Sequence, residues 1–221
     1  MKNKILTGLL GFFAVILIIT ISIGLPIYVR PFYYAQIDAL NIDEYSGADR
    51  ETIIEAYNEL MDYLTIPGNE FGTGDFAYSE AGKSHFVDCK ALFDLNLYAF
   101  IVSLIGTVAL LILKKLGKFD LWRPFGMNII FSSGAFTLGG FALIGGIVAI
   151  DFDKAFTVFH SLFFPGKDNW LFDWNKDAII RILPQDFFMN CAILIFVSIV
   201  TLCLGCIIYG IITRKKYVEN K

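Results

Sequence analysis

The sequence is poor in the residues and motifs that most soluble enzymes use for catalysis. Only two histidines, His85 and His160, occur among its 221 residues. There is no GxSxG sequence, no Walker loop for phosphate and no glycine fingerprint for dinucleotides, so the corresponding enzyme classes are not indicated. The net charge of -3 and the lack of a basic patch argue against nucleic acid as a partner.

Cysteine is also scarce, with four residues in the chain. Cys89 stands apart from the other three, which all fall in the last hydrophobic segment, so no paired disulfide framework is visible. The spacing of Cys203 and Cys206 is that of a redox CxxC motif. Within a hydrophobic segment, however, packing by small side chains is the simpler interpretation.

Apolar residues, in contrast, are abundant. They make up 56% of the chain, and the mean hydropathy is +0.62. Uncharged apolar runs cover residues 5–29, 95–113, 125–150 and 187–213, and about 20 residues of helix are enough to cross a bilayer core. The sequence therefore predicts an all-α polytopic membrane protein. We expect residues 1–221 to form a single membrane domain with four transmembrane helices.

The charges predict how these helices are oriented. The short segments 1–4, 114–124 and 214–221 hold 10 of the 18 Lys and Arg residues in 23 positions. The loops 30–94 and 151–186 hold the other 8 in 101 positions, together with 19 of the 21 acidic residues. The positive-inside rule then places both termini in the cytoplasm and both loops outside. The first run is long and lacks a small-residue cleavage site, so we expect an uncleaved anchor.

The first outer loop contains two helical patterns. Asp49 is placed to cap a helix that ends before Pro67 and whose apolar residues share one face. These residues are Ile53, Ile54, Tyr57, Leu60, Met61 and Leu64. The second pattern starts near Ser79 and is expected to run directly into the second span.

The second outer loop is rich in aromatic residues, which indicates a segment lying in the outer membrane interface. Asp153, Thr157 and His160 form one polar helical face within it, and we expect this face to border a cavity. Pro165 ends the helix, and residues 177–183 are expected to form a second, short one.

The third span carries a stripe of small residues at helical spacing, which suits close packing against a neighbouring helix. The stripe consists of Asn128, Ser132, Ala135, Gly139, Ala142, Gly146 and Ala149. The alternative interpretation is a surface for self-association, which would make the protein a homo-oligomer through its third span.

The two histidines, both on the outer side, are the best lead to chemistry. A neutral imidazole, with an ordinary pKa of about 6.5, takes and returns a proton near neutrality, and a neighbouring carboxylate can orient it. Asp88 follows His85 by three positions and has the spacing for that role. A zinc site from His85, Cys89 and His160 lacks an evident fourth ligand, so we expect no metal. An aspartyl pair of Asp94 and Asp151 for proteolysis is the weakest alternative.

Segments around both histidines resemble the bacterial lipoprotein intramolecular transacylases. The resemblance covers the whole chain and rests on residues 84–88 (SHFVD), 159–164 (FHSLFF), 169–172 (NWLF) and 182–188 (ILPQDFF). It implies an enzyme that moves the sn-2 acyl chain of a diacylglyceryl-cysteine lipoprotein to the α-amino group of the same cysteine. The product is a lyso-form lipoprotein, the partners are that lipoprotein and membrane lipid, and no cofactor is needed.

The resemblance also implies a site. We expect His85 to be the general base, oriented by Asp88, and His160 to be a second acid/base or to polarise the ester carbonyl. Expected substrate contacts are Arg181, Lys167, Asn169, Trp170, Asp153 and Thr157. The enzyme would lie in the bacterial cytoplasmic membrane with its active site facing the outer leaflet.

Two other functions remain open from the sequence. A non-catalytic lipid-binding or scaffold subunit would tolerate replacement of both histidines. A metal-dependent membrane hydrolase would release free fatty acid and would be inhibited by chelators.

Overall fold

The computed structural model describes residues 2–219, and for Lys2, Phe125, Ile147 and residues 215–219 it describes the backbone alone. Within these residues the chain is mostly helical. The α-helices are α1 Lys4–Tyr28, α2 Pro31–Tyr34, α3 Gln36–Ala39, α4 Ile42–Ser46, α5 Arg50–Thr65, α6 Glu80–Lys115, α7 Ile129–Ile150, α8 Phe152–Phe163 and α9 Gln185–Glu219. Short 3-10 helices cover Pro124–Gly126 and Ala178–Ile182, and strand β1 (Lys2–Asn3) pairs in parallel with β2 (Asp120–Leu121).

Four helices, α1, α6, α7 and α9, are long and apolar enough to cross a membrane, which confirms the predicted fold class. α6 is continuous, so the second helical pattern of the first loop and the second apolar run form one helix, as expected. α7 begins at Ile129, four residues later than the apolar run. The Asn128 side chain accepts a hydrogen bond from the Phe131 backbone N–H at 2.8 Å and so caps the helix.

The chain divides into two compact units. The span unit comprises the residues up to Ile23, Asn96–Ile147 and the residues from Ile195 onward. The loop unit comprises Gly24–Leu95 and Val148–Leu194. Both histidines belong to the loop unit.

In the span unit, glycines on α7 allow close contact with α9. A Cβ at Gly134 would lie 2.7 Å from Cβ of Cys206, and one at Gly145 would lie 2.5 Å from the ring of Phe196. The prediction that the small-residue stripe packs against a neighbouring helix holds at its first residue, since Asn128 donates to Thr213 Oγ1 on α9 at 2.6 Å, and was wrong further along the helix. Its glycine Gly139 would meet no atom within 4 Å of an added Cβ. The five residues from Gly134 to Gly139 turn a helix by about 140° beyond a full turn, so the stripe lies on another face.

The loop unit has an aromatic core. The ring of Tyr33 stacks on Tyr57 with centroids 3.7 Å apart, and its hydroxyl donates to the carbonyl of Ile182 at 2.7 Å. Asp49 caps α5 by accepting from the Thr52 backbone N–H at 2.8 Å, as predicted. The buried face of α5 contains the expected apolar residues, with Ile54 at its edge and Ala56 in addition.

Candidate active site

His85 lies near the start of α6 and is buried, with 5% of its surface exposed. Two phenylalanine rings meet the imidazole edge to face. Their centroids lie 4.9 Å away for Phe164 and 5.6 Å away for Phe172. The surroundings of this histidine are therefore mainly apolar and poor in water.

His160 lies near the end of α8 and is 6% exposed. Its ring stacks on Trp170 with centroids 4.5 Å apart, and Phe156 lies 4.3 Å away on the same helix. Nδ1 of His160 is 2.7 Å from the carbonyl oxygen of Phe156. Because a carbonyl only accepts hydrogen bonds, Nδ1 carries the proton, and Nε2 of the neutral ring carries the lone pair.

The structure brings the two histidines together, with ring centroids 5.6 Å apart. Burial, followed by the charge of His160, lowers the pKa of His85 from 6.5 to about 4. Burial also lowers the pKa of His160, although the hydrogen bond to Phe156 acts in the opposite direction. Both imidazoles are therefore mainly neutral at pH 7.

Cys89 is the hydrogen-bond partner of His85. Its Sγ lies 3.4 Å from Nε2 of His85, one helical turn away on α6. Burial raises the pKa of the Cys89 thiol to about 12, so the group is a neutral thiol at pH 7. Nδ1 of His85 is buried and has no hydrogen-bond partner among the described residues.

Asp88, which we expected to orient His85, has other partners. Its carboxylate accepts hydrogen bonds from Lys167 Nζ at 2.6 Å and from Asn169 Nδ2 at 3.0 Å, and Asn169 also donates to Ser84 Oγ at 3.3 Å. Burial acts to raise the pKa of Asp88, but the hydrogen bonds from Lys167 and Asn169 outweigh it and lower that pKa. Asp88 thus links α6 to the segment that follows α8.

Of the remaining predicted site residues, one lies against a histidine and the others have partners elsewhere. Trp170 lies against His160, as described above. Arg181 instead donates to the carbonyl of Trp174 at 3.0 Å, with its guanidinium over the Trp174 ring. Asp153 and Thr157 are exposed; Asp153 accepts a hydrogen bond from Gln185, and Thr157 donates to the Asp153 carbonyl at 3.0 Å. The expectation that the whole polar face of α8 borders a cavity was therefore wrong. Of its three residues, only His160 is buried.

Sequence reasoning missed two groups that hold the imidazoles. Cys89 was considered only as a metal ligand, and the carbonyl of Phe156 was not considered at all. Both lie one helical turn from their histidine, so the i, i+4 spacing was the available signal. In the described part of the chain, no group of three or more His, Cys, Asp or Glu residues is arranged to hold a metal ion.

Comparison with known proteins identifies the family. A family model described as lipoprotein intramolecular transacylase Lit matches residues 8–188. The in meso structure of the membrane-integral lipoprotein intramolecular transacylase Lit from Bacillus cereus is 26% identical, covers 97% of each chain and has a TM-score of 0.86. Two variants of that protein, with one histidine replaced by arginine or by alanine, are each 25% identical.

The arginine variant covers 99% of this chain and 94% of its own, with a TM-score of 0.80. The alanine variant covers 96% and 95%, with a TM-score of 0.77. No curated protein sequence matches the chain significantly. Because the family model spans most of the sequence and the structural similarity extends over nearly all of it, the chain belongs to the lipoprotein intramolecular transacylase family of membrane acyltransferases.

Proposed function

We propose that this enzyme moves the sn-2 acyl chain of a diacylglyceryl-cysteine lipoprotein to the α-amino group of the same cysteine. The observation that carries the proposal is the pair of buried imidazoles, 5.6 Å apart, each held by the protein through one ring nitrogen. Membership of the family supports the reaction class. The product is a lyso-form lipoprotein.

The proposed transfer forms one bond and breaks another. The amine nitrogen attacks the ester carbonyl carbon, and the bond between that carbon and the glyceryl oxygen breaks. The amine loses a proton as the amide forms, and the departing oxygen gains one to become a hydroxyl. The neutral substrate and product are therefore isomers, so the reaction consumes no external acyl donor and no water.

Two neutral imidazoles suit this chemistry. An α-amino group has a pKa of about 7.7 to 8.0, so it is largely protonated near neutrality and must lose a proton before it can attack. A neutral imidazole can accept the proton released during attack and return it to the leaving oxygen. A hydrogen-bond donor that faces the carbonyl oxygen stabilises the negative charge that develops there.

The aromatic surroundings favour transfer to the amine over hydrolysis. Phe156 and Trp170 lie against His160, and Phe164 and Phe172 lie against His85. Such a site excludes water while it holds amine and ester side by side, and proximity of this kind replaces a covalent enzyme intermediate.

The other predicted residues receive proposed roles at the edge of the site. Lys167 and Asn169 fix the segment that carries Trp170, through their hydrogen bonds to Asp88. Arg181 is partly exposed, and we retain it, with Asp153 and Thr157, as a contact for the glyceryl group or the peptide of the lipoprotein.

We also propose that the site faces the outer leaflet of the cytoplasmic membrane, with both termini in the cytoplasm. The uneven distribution of Lys and Arg supports this orientation. The exposed apolar side chains of α8 support an interfacial position, since Leu162 is 71% exposed and Phe159 and Phe163 are also exposed.

The proposal is tested by incubating the purified protein with a synthetic diacylglyceryl lipopeptide and following the product by mass spectrometry. We expect a product of unchanged mass whose fragments contain an N-acyl cysteine and a monoacylglyceryl thioether. Two substrates that carry different isotopes in both their acyl and peptide parts should give no crossed products when mixed.

The same experiment contains the outcomes that would overturn the proposal. Crossed products would contradict intramolecular transfer. Loss of one acyl unit, together with inhibition by a chelator, would support the metal-dependent hydrolase instead. An unchanged substrate in the presence of folded protein would favour the non-catalytic lipid-binding subunit.

A further inference from the structure

The two histidines are held through different ring nitrogens. The carbonyl of Phe156 engages Nδ1 of His160, which leaves Nε2 with the lone pair. Cys89 engages Nε2 of His85, which leaves Nδ1 buried and without a hydrogen-bond partner in the described residues. The chemical role of His85 therefore depends on which of the two groups in its bond with Cys89 is the donor.

The chemistry of the pair favours the thiol as the donor. A thiol is a weak donor and its sulfur is a weak acceptor, whereas the unprotonated nitrogen of an imidazole is a good acceptor. Burial keeps Cys89 protonated, with its pKa raised to about 12, so a proton is present on the sulfur. A bond from Sγ–H to Nε2 uses the better acceptor of the two.

We propose that Cys89 is a positioning residue of the active site, whose thiol donates to Nε2 of His85 and so keeps the proton of that neutral ring on Nδ1. His85 then acts as a hydrogen-bond donor to the carbonyl oxygen of the ester, and Nε2 of His160 accepts the proton of the amine. This inference rests on the proposed function, because it divides the two roles in that reaction between two named atoms.

The electrostatics of the site agree with this division. A pKa of about 4 makes His85 a poor base at pH 7, but a neutral N–H remains an effective donor to a developing oxyanion. The carbonyl of Phe156 favours the protonated form of His160, which helps this ring to accept a proton. Both rings thus carry the proton on Nδ1, but His85 presents this N–H to the substrate, whereas His160 presents the lone pair of Nε2.

A matched pair of variants tests the inference. Cys89→Asp and Cys89→Asn introduce side chains of nearly equal size, but an ionised carboxylate can only accept a hydrogen bond, whereas the amide can also donate one. In Cys89→Asp the carboxylate stabilises the proton on Nε2 of His85, and kcat should fall by about 10²-fold or more. Asn, like Cys89→Ser, should retain activity within about tenfold of the wild type.

Cys89→Ala removes the bond without reversing it, and we expect a loss of about three- to tenfold in kcat with little change in KM. Equal or higher activity of the Asp variant compared with Asn would overturn the inference, because it would identify His85 as the base. Detection of an acyl group on Cys89 by mass spectrometry would also overturn it, since the thiol would then be a nucleophile.

A spectroscopic measurement does not depend on turnover. Because the chain has two histidines, protein labelled with ¹⁵N in histidine gives two sets of ring signals, and the His160→Ala variant assigns them. We expect both neutral rings to carry the proton on Nδ1. A proton on Nε2 of His85 would contradict the inference even if the acyl transfer occurs as proposed, and absence of transfer with both protons on Nδ1 would contradict only the proposed function.

Discussion

His85 on α6 and His160 on α8 are buried to the same extent, but the two helices hold the imidazoles through different hydrogen bonds. On α8 a backbone carbonyl one turn before the histidine holds the ring, and on α6 a side chain one turn after it does so. A carbonyl cannot reverse its hydrogen bond, whereas a thiol can. The tautomer of His160 is therefore determined by the helix itself, and that of His85 depends on the residue at position 89.

The largest effect is expected for His160→Ala, which removes the proposed base. We expect the rate of acyl migration to fall by about 10²- to 10⁴-fold, the usual contribution of a positioned acid/base group. The measurement is the single-turnover rate with a labelled lipopeptide. Ser161→Ala is the matched control, because Ser161 is the exposed neighbour on α8 and bonds only to the Thr157 carbonyl among the contacts described. Near-normal turnover of His160→Ala would remove the base from the account.

His85→Ala should have the next largest effect, a loss of about 10²- to 10³-fold, which is typical for removal of one donor to an oxyanion. The loss should appear in kcat, because the carbonyl oxygen becomes negatively charged only as the reaction proceeds. A large rise in KM with unchanged kcat would instead indicate that His85 serves only to bind the ester.

Asp88→Asn should be weaker than either histidine variant, with a loss of about tenfold or less. The amide keeps the shape of the side chain but loses the charge that pairs with Lys167. Lys167→Met should give a similar loss, because both changes weaken the link between α6 and the segment carrying Trp170. A loss as great as that of His85→Ala would show that Asp88 acts directly in the reaction.

A smaller effect is expected on the titration of His85. Its pKa is lowered to about 4, so the ring should stay neutral as the pH falls from 7 to about 5. The measurement is a pH titration of the ¹⁵N ring signals. The positive charge of Lys167 contributes to this lowering, so Lys167→Met should raise the pKa of His85. An unchanged or lower pKa in that variant would contradict the electrostatic description of the site.

Membrane orientation can be tested by a measurement that does not depend on activity. In a background with all four native cysteines replaced by serine, single cysteines at Asn69 and Asn175 should react with an impermeant thiol reagent in intact cells. A cysteine at Lys118 should not react. The reverse pattern would place both histidines on the cytoplasmic side.

The sequence predicts those parts of the fold that depend on local pattern. Hydrophobic length identifies the four long helices, and the cap at Asp49 with its apolar face identifies α5. The start of α7 was less predictable, because an apolar run does not show where the first helical hydrogen bond forms. Asn128 sets that position through its side chain.

The site is less predictable, because its contacts join residues far apart in the chain. The two histidines could be selected because no others exist, but the partner of Asp88 is 79 positions away at Lys167. A single sequence gives no register for such a contact. The spacing of His85 and Asp88 suggested a local pair. The Asp88 carboxylate instead pairs with Lys167 and Asn169, which are distant in sequence and are its better partners.

The central claim is that both imidazoles act on one transfer, and a double-mutant cycle tests it most directly. Rates of acyl migration are measured for the wild type, His85→Ala, His160→Ala and the double variant, all confirmed to be folded in the same detergent. Groups that act as a unit give losses that do not multiply, so the double variant should be within about tenfold of His160→Ala. Losses that multiply in the double variant, or near-wild-type rates in both single variants, would contradict the account.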